Sequence, residues 1–355
     1  MSEVRAKRFQ LEEFTAAAMM ALGLPSEDAA TVATLMVQAD MQGSDGHGVI
    51  RLAPYAKRIL AGGINLKPNI KVVQERTAMA LVDGDNGMGQ LVMKKATELA
   101  IHKARTAGIA WVGSKFSNHA GPASLYARMA LQHDMIGLYF AVGNANHLPP
   151  WGGLDMLLST NPIAATIPTL NEVPVVLDMA TTVAAYGKVK AKAQRGEMMP
   201  EGWMIDRQGK PLLDPTKSEE GFLLPIGGYK GYGLSLIVGI LAGTLNGAAM
   251  GRQVIDFNKD FSTTTNTGQA IAIIDPSAFG DITEFKQNVD TLVRELRGSE
   301  RMPGVDRIWL PGEQSHEKRL SNEAHGIVLA PSLMKQLNDL AAQLNITPLN
   351  VQIQT

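Results

Sequence analysis

Apolar residues between Phe9 and Leu22 recur at helical spacing and Gly23 follows as a stop, so the pattern predicts a first helix there. Ser26, with Glu27 and Asp28 behind it, reads as a cap opening a second helix that ends near Gly43. Ser44-Asp45-Gly46-His47-Gly48 is then a glycine-rich turn, and Val49 to Leu60 resumes the helical period. After a break at Gly62-Gly63 and Pro68, two periods alternate. Ala78 to Val82, Ile109 to Val112, Met135 to Val142, Ile163 to Ile167 and Val173 to Leu177 read as strands. Leu91 to Ala107, Pro122 to Gln132, Val183 to Arg195 (stopped by Gly196) and the apolar run after Gly231 read as helices. A polar, turn-rich stretch from Gly251 to Gly268 precedes a strand at Ala270 to Ile274 and helices at Phe285 to Leu296 and Ser332 to Leu344.

Alternation of this kind predicts an α/β (α+β) fold. The expected division is an α/β unit at 75–250, inserted between residues 1–74 and a C-terminal part, 251–355, that packs back on them. No internal repeat or low-complexity segment interrupts it.

Composition narrows the function classes. The 355 residues are 45% hydrophobic and 19% charged, ordinary globular usage, and a formal net charge of -1 provides no footprint for a polyanion, so no nucleic-acid partner is expected. The absence of cysteine excludes disulfides, thiolate metal sites and cysteine nucleophiles. The segment Met-Ser-Glu-Val-Arg-Ala-Lys-Arg has no apolar core behind its charges, and Gly233 to Met250 carries Ser235, Thr244 and Asn246. Neither a secretory signal nor a membrane span is read, and a cytoplasmic location is expected.

No Gly-x-Gly-x-x-Gly lies between a strand and a helix: Gly84, Gly87 and Gly89 have the wrong spacing, as do Gly227, Gly228, Gly231 and Gly233. A Gly-x-Ser-x-Gly elbow and a His-Glu-x-x-His are also missing. Three histidines, His47, His119 and His147, each follow an expected element and lie among Gly, Asn or Pro. An imidazole at the carboxyl end of a strand, where His119 falls, can exchange a proton at neutral pH or be a hydrogen-bonded loop histidine. Arg51, four residues after His47, shares its face if that segment is helical and then offers a planar fork to a carboxylate; a surface salt bridge is the plain alternative. Lys230, before a helix start, suits a phosphate or carboxylate, or marks an ordinary turn. Asp178, after the strand ending at Leu177, can accept from a ribose or carboxamide, or cap the next turn.

Taken together, Gly46-His47-Gly48-Val49-Ile50-Arg51, Ser117-Asn118-His119, Thr160-Asn161-Pro162, Asp178-Met179-Ala180-Thr181-Thr182, Leu224-Pro225 with Tyr229-Lys230-Gly231, and Leu310-Pro311-Gly312-Glu313 resemble the malate/L-lactate dehydrogenase family in order and spacing. That family includes ureidoglycolate, sulfolactate and malate dehydrogenases, 2,3-diketogulonate reductase and piperideine-2-carboxylate reductase. The resemblance implies a non-Rossmann, mixed-sheet fold whose 75–250 part binds NAD(H) or NADP(H), with NAD preferred, while 1–74 and 251–355 supply the substrate and dimerisation domain. It implies His47 and His119 as the catalytic pair, Arg51 and Asn144 as substrate-binding, and cofactor contacts at Asp178, Met179, Ala180, Tyr229, Lys230, Gly312 and Glu313, with no metal. It also implies a homodimer. Gly46 replaces the serine that family members commonly carry before the histidine, which bears on which substrate is taken. The expected activity is interconversion of a small 2-oxo acid and 2-hydroxy acid. The alternatives are reduction of a cyclic ketimine and, from another class, a hydrolase with the histidines as metal ligands.

Overall fold

The computed structural model describes residues 4–44 and 46–353, so Asp45 of the glycine-rich turn lies outside the described residues. The chain opens with strand β1 (Val4–Ala6) and the helical hairpin α1 (Arg8–Ala21) and α2 (Ser26–Met41), close to the expected bounds. Pro25 takes the capping position, so Ser26 lies in the first turn instead of capping it, and Glu27 and Asp28 supply the acidic start that favours a helix N-terminus. Val49–Arg51 forms a 3-10 turn that runs into α3 (Leu52–Leu60).

The sheet follows. Strand β2 (Lys71–Arg76) and β3 (Met79–Gly87) form a hairpin, α4 (Gly89–Ala107) crosses to β4 (Ile109–Ser117), and α5 (Ser124–Ala127) leads through a 3-10 turn into β5 (Ile136–Ala141). The helix expected over Pro122 to Gln132 is therefore only one turn of α-helix; its continuation tightens and ends on Asp134 at φ 55. Strands β6 (Ile163–Ile167) and β7 (Val175–Met179), helix α6 (Tyr186–Arg195), a small hairpin β8 (Met204–Asp206) and β9 (Gly221–Leu223), and helix α7 (Tyr229–Ala242) come next. Helix α6 starts later than Val183 because Thr182 bridges to Pro225 and the Val183 N–H bonds Leu224 O, which holds that stretch extended. The chain closes with β10 (Gly268–Ile274), α8 (Ile282–Arg297), α9 (Glu313–His325), β11 (Ile327–Leu329), α10 (Pro331–Leu344) and β12 (Gln352–Ile353).

Among the described residues the main sheet has seven strands in the order β2-β3-β4-β10-β5-β6-β7, with β3 parallel to β4 and every other neighbour antiparallel. The fold is mixed α/β. Strand β10 occupies the middle, buried from Gly268 to Ile273, which explains its unbroken apolar run. Five of the seven strands lie within 75–250, while β10 lies beyond residue 250 and β2 begins before residue 75. A second sheet, β11-β1-β12, ties the two ends of the chain together.

Two cores result. One joins Leu11, Phe14 and Met36 of the first helices to Leu52 and Tyr55 of α3 and to Leu337 and Leu340 of α10. The other packs Val92, Met93 and Ala96 of α4 against Val82, Val112 and Ile271 of the sheet. The turn carrying His47 and the loop leaving β4 at His119 meet where these cores adjoin.

Candidate active site

The His47 turn is fixed from below. Asp40, near the end of α2, accepts from the Val49 N–H at 2.8 Å, and a Cβ at Gly48 would fall 1.9 Å from the same carboxylate, so only glycine lets the turn lie this close. On the other side Gly89 lets the start of α4 press against the Asn118–His119 backbone, where a Cβ would stand 2.1 Å from Asn118 O. Both glycines thus bring two loop histidines together: the His47 and His119 rings stack with centroids 5.5 Å apart and planes within 9°.

Tyr55, buried in α3, completes the arrangement. Its hydroxyl is 2.6 Å from His119 Nδ1 and receives Gln90 Nε2 at 3.3 Å. Burial pushes the phenol up to about 12, against the opposing pull of Arg51 and Gln90, so it keeps its proton at neutral pH. The contact engages Nδ1 of His119 and leaves Nε2 as the ring nitrogen without a protein partner among the described residues. Phe257 walls the ring at 6.0 Å between centroids. It is held there by Asn144 O, which accepts its N–H at 2.8 Å, and by Arg58, which stacks 4.7 Å from its ring while bonding Asp260 O and Thr263 O. Asn144 itself donates through Nδ2 to Thr267 Oγ1 at 2.7 Å.

Arg51 comes in beside both histidines. Its Nε donates to Gly46 O at 2.7 Å, so Gly46 acts through its backbone, and space for a side chain there is open. Among the described residues nothing bonds the two terminal nitrogens of Arg51. Burial first and the Arg51 charge second lower His47 to about 4; the same two causes, with His47 third, hold His119 well below its ordinary value. Both rings are only half-buried by exposed area, so protein surrounds them while solvent still reaches them, as in a concave site.

The sign for stability follows. Between about pH 4 and the unfolded value of ~6.5 the unfolded chain binds the proton that folded His47 refuses, so stability rises with pH across that window. Going from pH 7.5 to pH 5, His47 is expected to cost about 1 to 2 kcal/mol once solvent screening is allowed for. Urea unfolding midpoints across this range check it: His47→Asn is expected to flatten the acid loss, and an unchanged slope refutes the assignment.

The remaining motif residues collect around the ends of β6 and β7. Thr181 bonds Thr160 O through both N–H and Oγ1, the Ile226 N–H bonds Thr181 O, and the Val176 N–H bonds Pro311 O at 2.9 Å. Asp178 accepts from the Ser124 N–H at 2.8 Å, which links it to the loop that carries His119. It is the fourth residue of β7 and not the start of a turn, and burial raises its carboxyl against the Ser124 bonds even though the side chain is open to solvent. Met179 and Ala180 follow it, half-buried. Tyr229 and Lys230 are exposed in the first turn of α7, inside the helix and not before it. Gly312, at φ 95, packs so closely on β7 that a Cβ would lie 2.8 Å from Val176.

Glu313 is held by its own chain. It is 4% exposed, and its oxygens receive Arg297 at 2.7 and 3.1 Å, Arg307 at 3.4 Å and the Leu310 N–H at 3.2 Å. Burial raises its pKa, but the Leu310 and Arg297 bonds prevail and keep it ionised. A carboxylate so engaged shapes the Leu310–Glu313 turn. His147 likewise stands apart from the histidine pair, stacked on Tyr186 at 4.1 Å. Sequence reasoning missed Tyr55, Gln90 and Phe257; the spacing of His47, Arg51 and Tyr55 at four and four was the one available signal.

A profile described as malate/L-lactate dehydrogenase matches residues 7–338. The chain belongs to the malate/L-lactate dehydrogenase family. Within it, the malate dehydrogenase of Pyrococcus abyssi is 39% identical over 98% of this chain and 97% of its own length. The NAD(+) ureidoglycolate dehydrogenase of Escherichia coli O157:H7 is 34% identical over 89% of each. The solved sulfolactate dehydrogenase of Methanocaldococcus jannaschii superposes with a TM-score of 0.89 at 36% identity, covering 97% of this chain and 98% of that one. As a member of the family the chain is an oxidoreductase that uses NAD(H) or NADP(H). Among the described residues no helix is long and apolar enough to cross a membrane, and no three His, Asp or Glu side chains converge to hold a metal ion.

Proposed function

We propose that the chain interconverts a small 2-oxo acid and the corresponding 2-hydroxy acid, with His47 and His119 flanking the reacting carbon and Arg51 holding the carboxylate. The observation that carries this is the free guanidinium fork of Arg51 beside two stacked histidines in a solvent-reached concavity. A carboxylate on that fork sets the adjacent carbonyl against the rings.

The two histidines differ in what they can do. His119 has Nδ1 committed to Tyr55, so it offers a fixed Nε2–H to the substrate oxygen and orients the carbonyl. No protein group among the described residues bonds the His47 ring nitrogens, which leaves His47 able to take up and release a proton: it protonates the oxygen in reduction and removes the hydroxyl proton in oxidation. A substrate carboxylate on Arg51 cancels the charge that depresses His47 and so readies it for that exchange.

Asp178 and Lys230, with the backbone at Met179, Ala180, Tyr229 and Gly312, are the groups we assign to the nicotinamide cofactor. Asp178 suits the assignment because it keeps acceptor capacity beyond its Ser124 bond and is open to solvent. When bound, the cofactor supplies or accepts the hydride at the substrate C2. The sheet order and its antiparallel pairs also support reading this as a cofactor domain outside the doubly wound dinucleotide class. The exposed row Leu234, Ile237, Ile240 and Leu245 along and beyond α7 supports a homodimer covering that face. Steady-state assays with NADH or NADPH and a panel of 2-oxo acids test the activity: oxidation of reduced cofactor with at least one acid is expected, and none with any acid refutes it.

A further inference from the structure

Helix α6 presents one face to Arg51. A Cβ built on Gly187 would lie 4.0 Å from Arg51 Nη2, and Lys190, three residues on, lies on the same side of the helix. The Lys190 ammonium stands over the Tyr186 ring at 5.3 Å, and no carboxylate among the described residues comes within ion-pairing distance of it. Two acids, Glu219 and Asp256, act on Lys190 through their charge, and Glu219 is already engaged by Lys259 at 3.2 Å and the Tyr186 hydroxyl at 3.1 Å. Burial and then the Arg51 charge lower the pKa of Lys190, the effect expected of two cations facing one space. Two positive charges facing one space, offset only in part by Glu219 and Asp256 and, at the exposed Lys190, by solvent, cost free energy in the empty protein, and a ligand with two negative groups relieves it.

We propose that Lys190 is a specificity-determining residue, binding the second acidic group, carboxylate or sulfonate, of a doubly charged 2-oxo or 2-hydroxy acid whose first carboxylate lies on Arg51. This rests on the Arg51 assignment above. Tyr186, stacked on His147, lies beneath the Lys190 ammonium.

The test is calorimetric titration of the full chain with L-malate and with L-lactate, alongside NADH titration, for wild type, Lys190→Gln and Lys190→Arg. Wild type is expected to bind malate at least about tenfold tighter than lactate. Lys190→Gln is expected to erase that preference, and Lys190→Arg to keep most of it. A preference that survives Lys190→Gln overturns the proposal, as does a loss of NADH affinity with the malate preference intact, which assigns Lys190 to the cofactor's pyrophosphate instead. Lys190-dependent malate binding without any NADH turnover leaves this inference standing and removes the dehydrogenase reading, whereas turnover indifferent to Lys190 does the reverse.

Discussion

Replacing His47 with Asn is expected to lower kcat about 10²- to 10⁴-fold while the Kd for NADH, read by fluorescence, stays within a factor of about two. His119→Asn is expected to cost about 10²- to 10³-fold, the usual loss on removing a fixed donor to a developing oxyanion. The pH profile separates the two roles. In the free enzyme His47 titrates near 4, so its protonated form, needed for reduction, becomes about tenfold scarcer with each unit of rising pH. Wild-type kcat/KM for reduction therefore falls with that slope from pH 5 upward, while kcat/KM for oxidation, which needs the neutral ring, is level. His119→Asn keeps the slope and His47→Asn loses it. The opposite pattern exchanges the roles, and near-normal rates in both variants would falsify the scheme.

Arg51→Gln is expected to reduce kcat/KM about 10²- to 10³-fold, because it removes a charged fork whose terminal nitrogens have no protein partner to lose. A second consequence has the opposite sign. Arg51 depresses both histidines, so its loss raises their pKa values and moves the reduction limb toward neutral pH. NMR titration of the imidazole protons, combined with saturation kinetics, checks both effects. An Arg51→Gln enzyme with unchanged KM and unshifted histidines removes Arg51 from the site.

Much of this was legible in the chain because local pattern and burial agree. Helices α1, α2, α4 and α8 have apolar positions at one spacing, and β6 alternates, so their bounds fall near those expected. Helix α9 escaped because Glu-Gln-Ser-His-Glu-Lys-Arg has no apolar face; what anchors it is the bonding of buried Glu313 and of Asn322, whose amide reaches Asp40 O and Met41 O. Strand β2 is exposed along its whole length and so lacks the alternation that marks a half-buried strand. At the site, His47 and His119 were identifiable as loop histidines, but their contact depends on Gly48 and Gly89 admitting close backbone approach, which no spacing rule reveals. The ion pairs of Glu313 with Arg297 and Arg307 were hidden for a related reason, since those partners are brought to it only by the fold.

The placement of β10 sets the order in which the molecule can be made. Strands β4 and β5 are complete by Ala141, yet each keeps an unpaired edge until residues 268–274 arrive to fill the gap between them. During synthesis the ribosome must add more than a third of the chain while two apolar strand edges wait open, a long-range closure that slows folding and favours mispairing with other chains. Strand β12 then pairs with β1, which lacks that neighbour until residues 352–353 have been made. A sheet centred on residues 268–274 thus closes only after the segments that flank it in space have long been made.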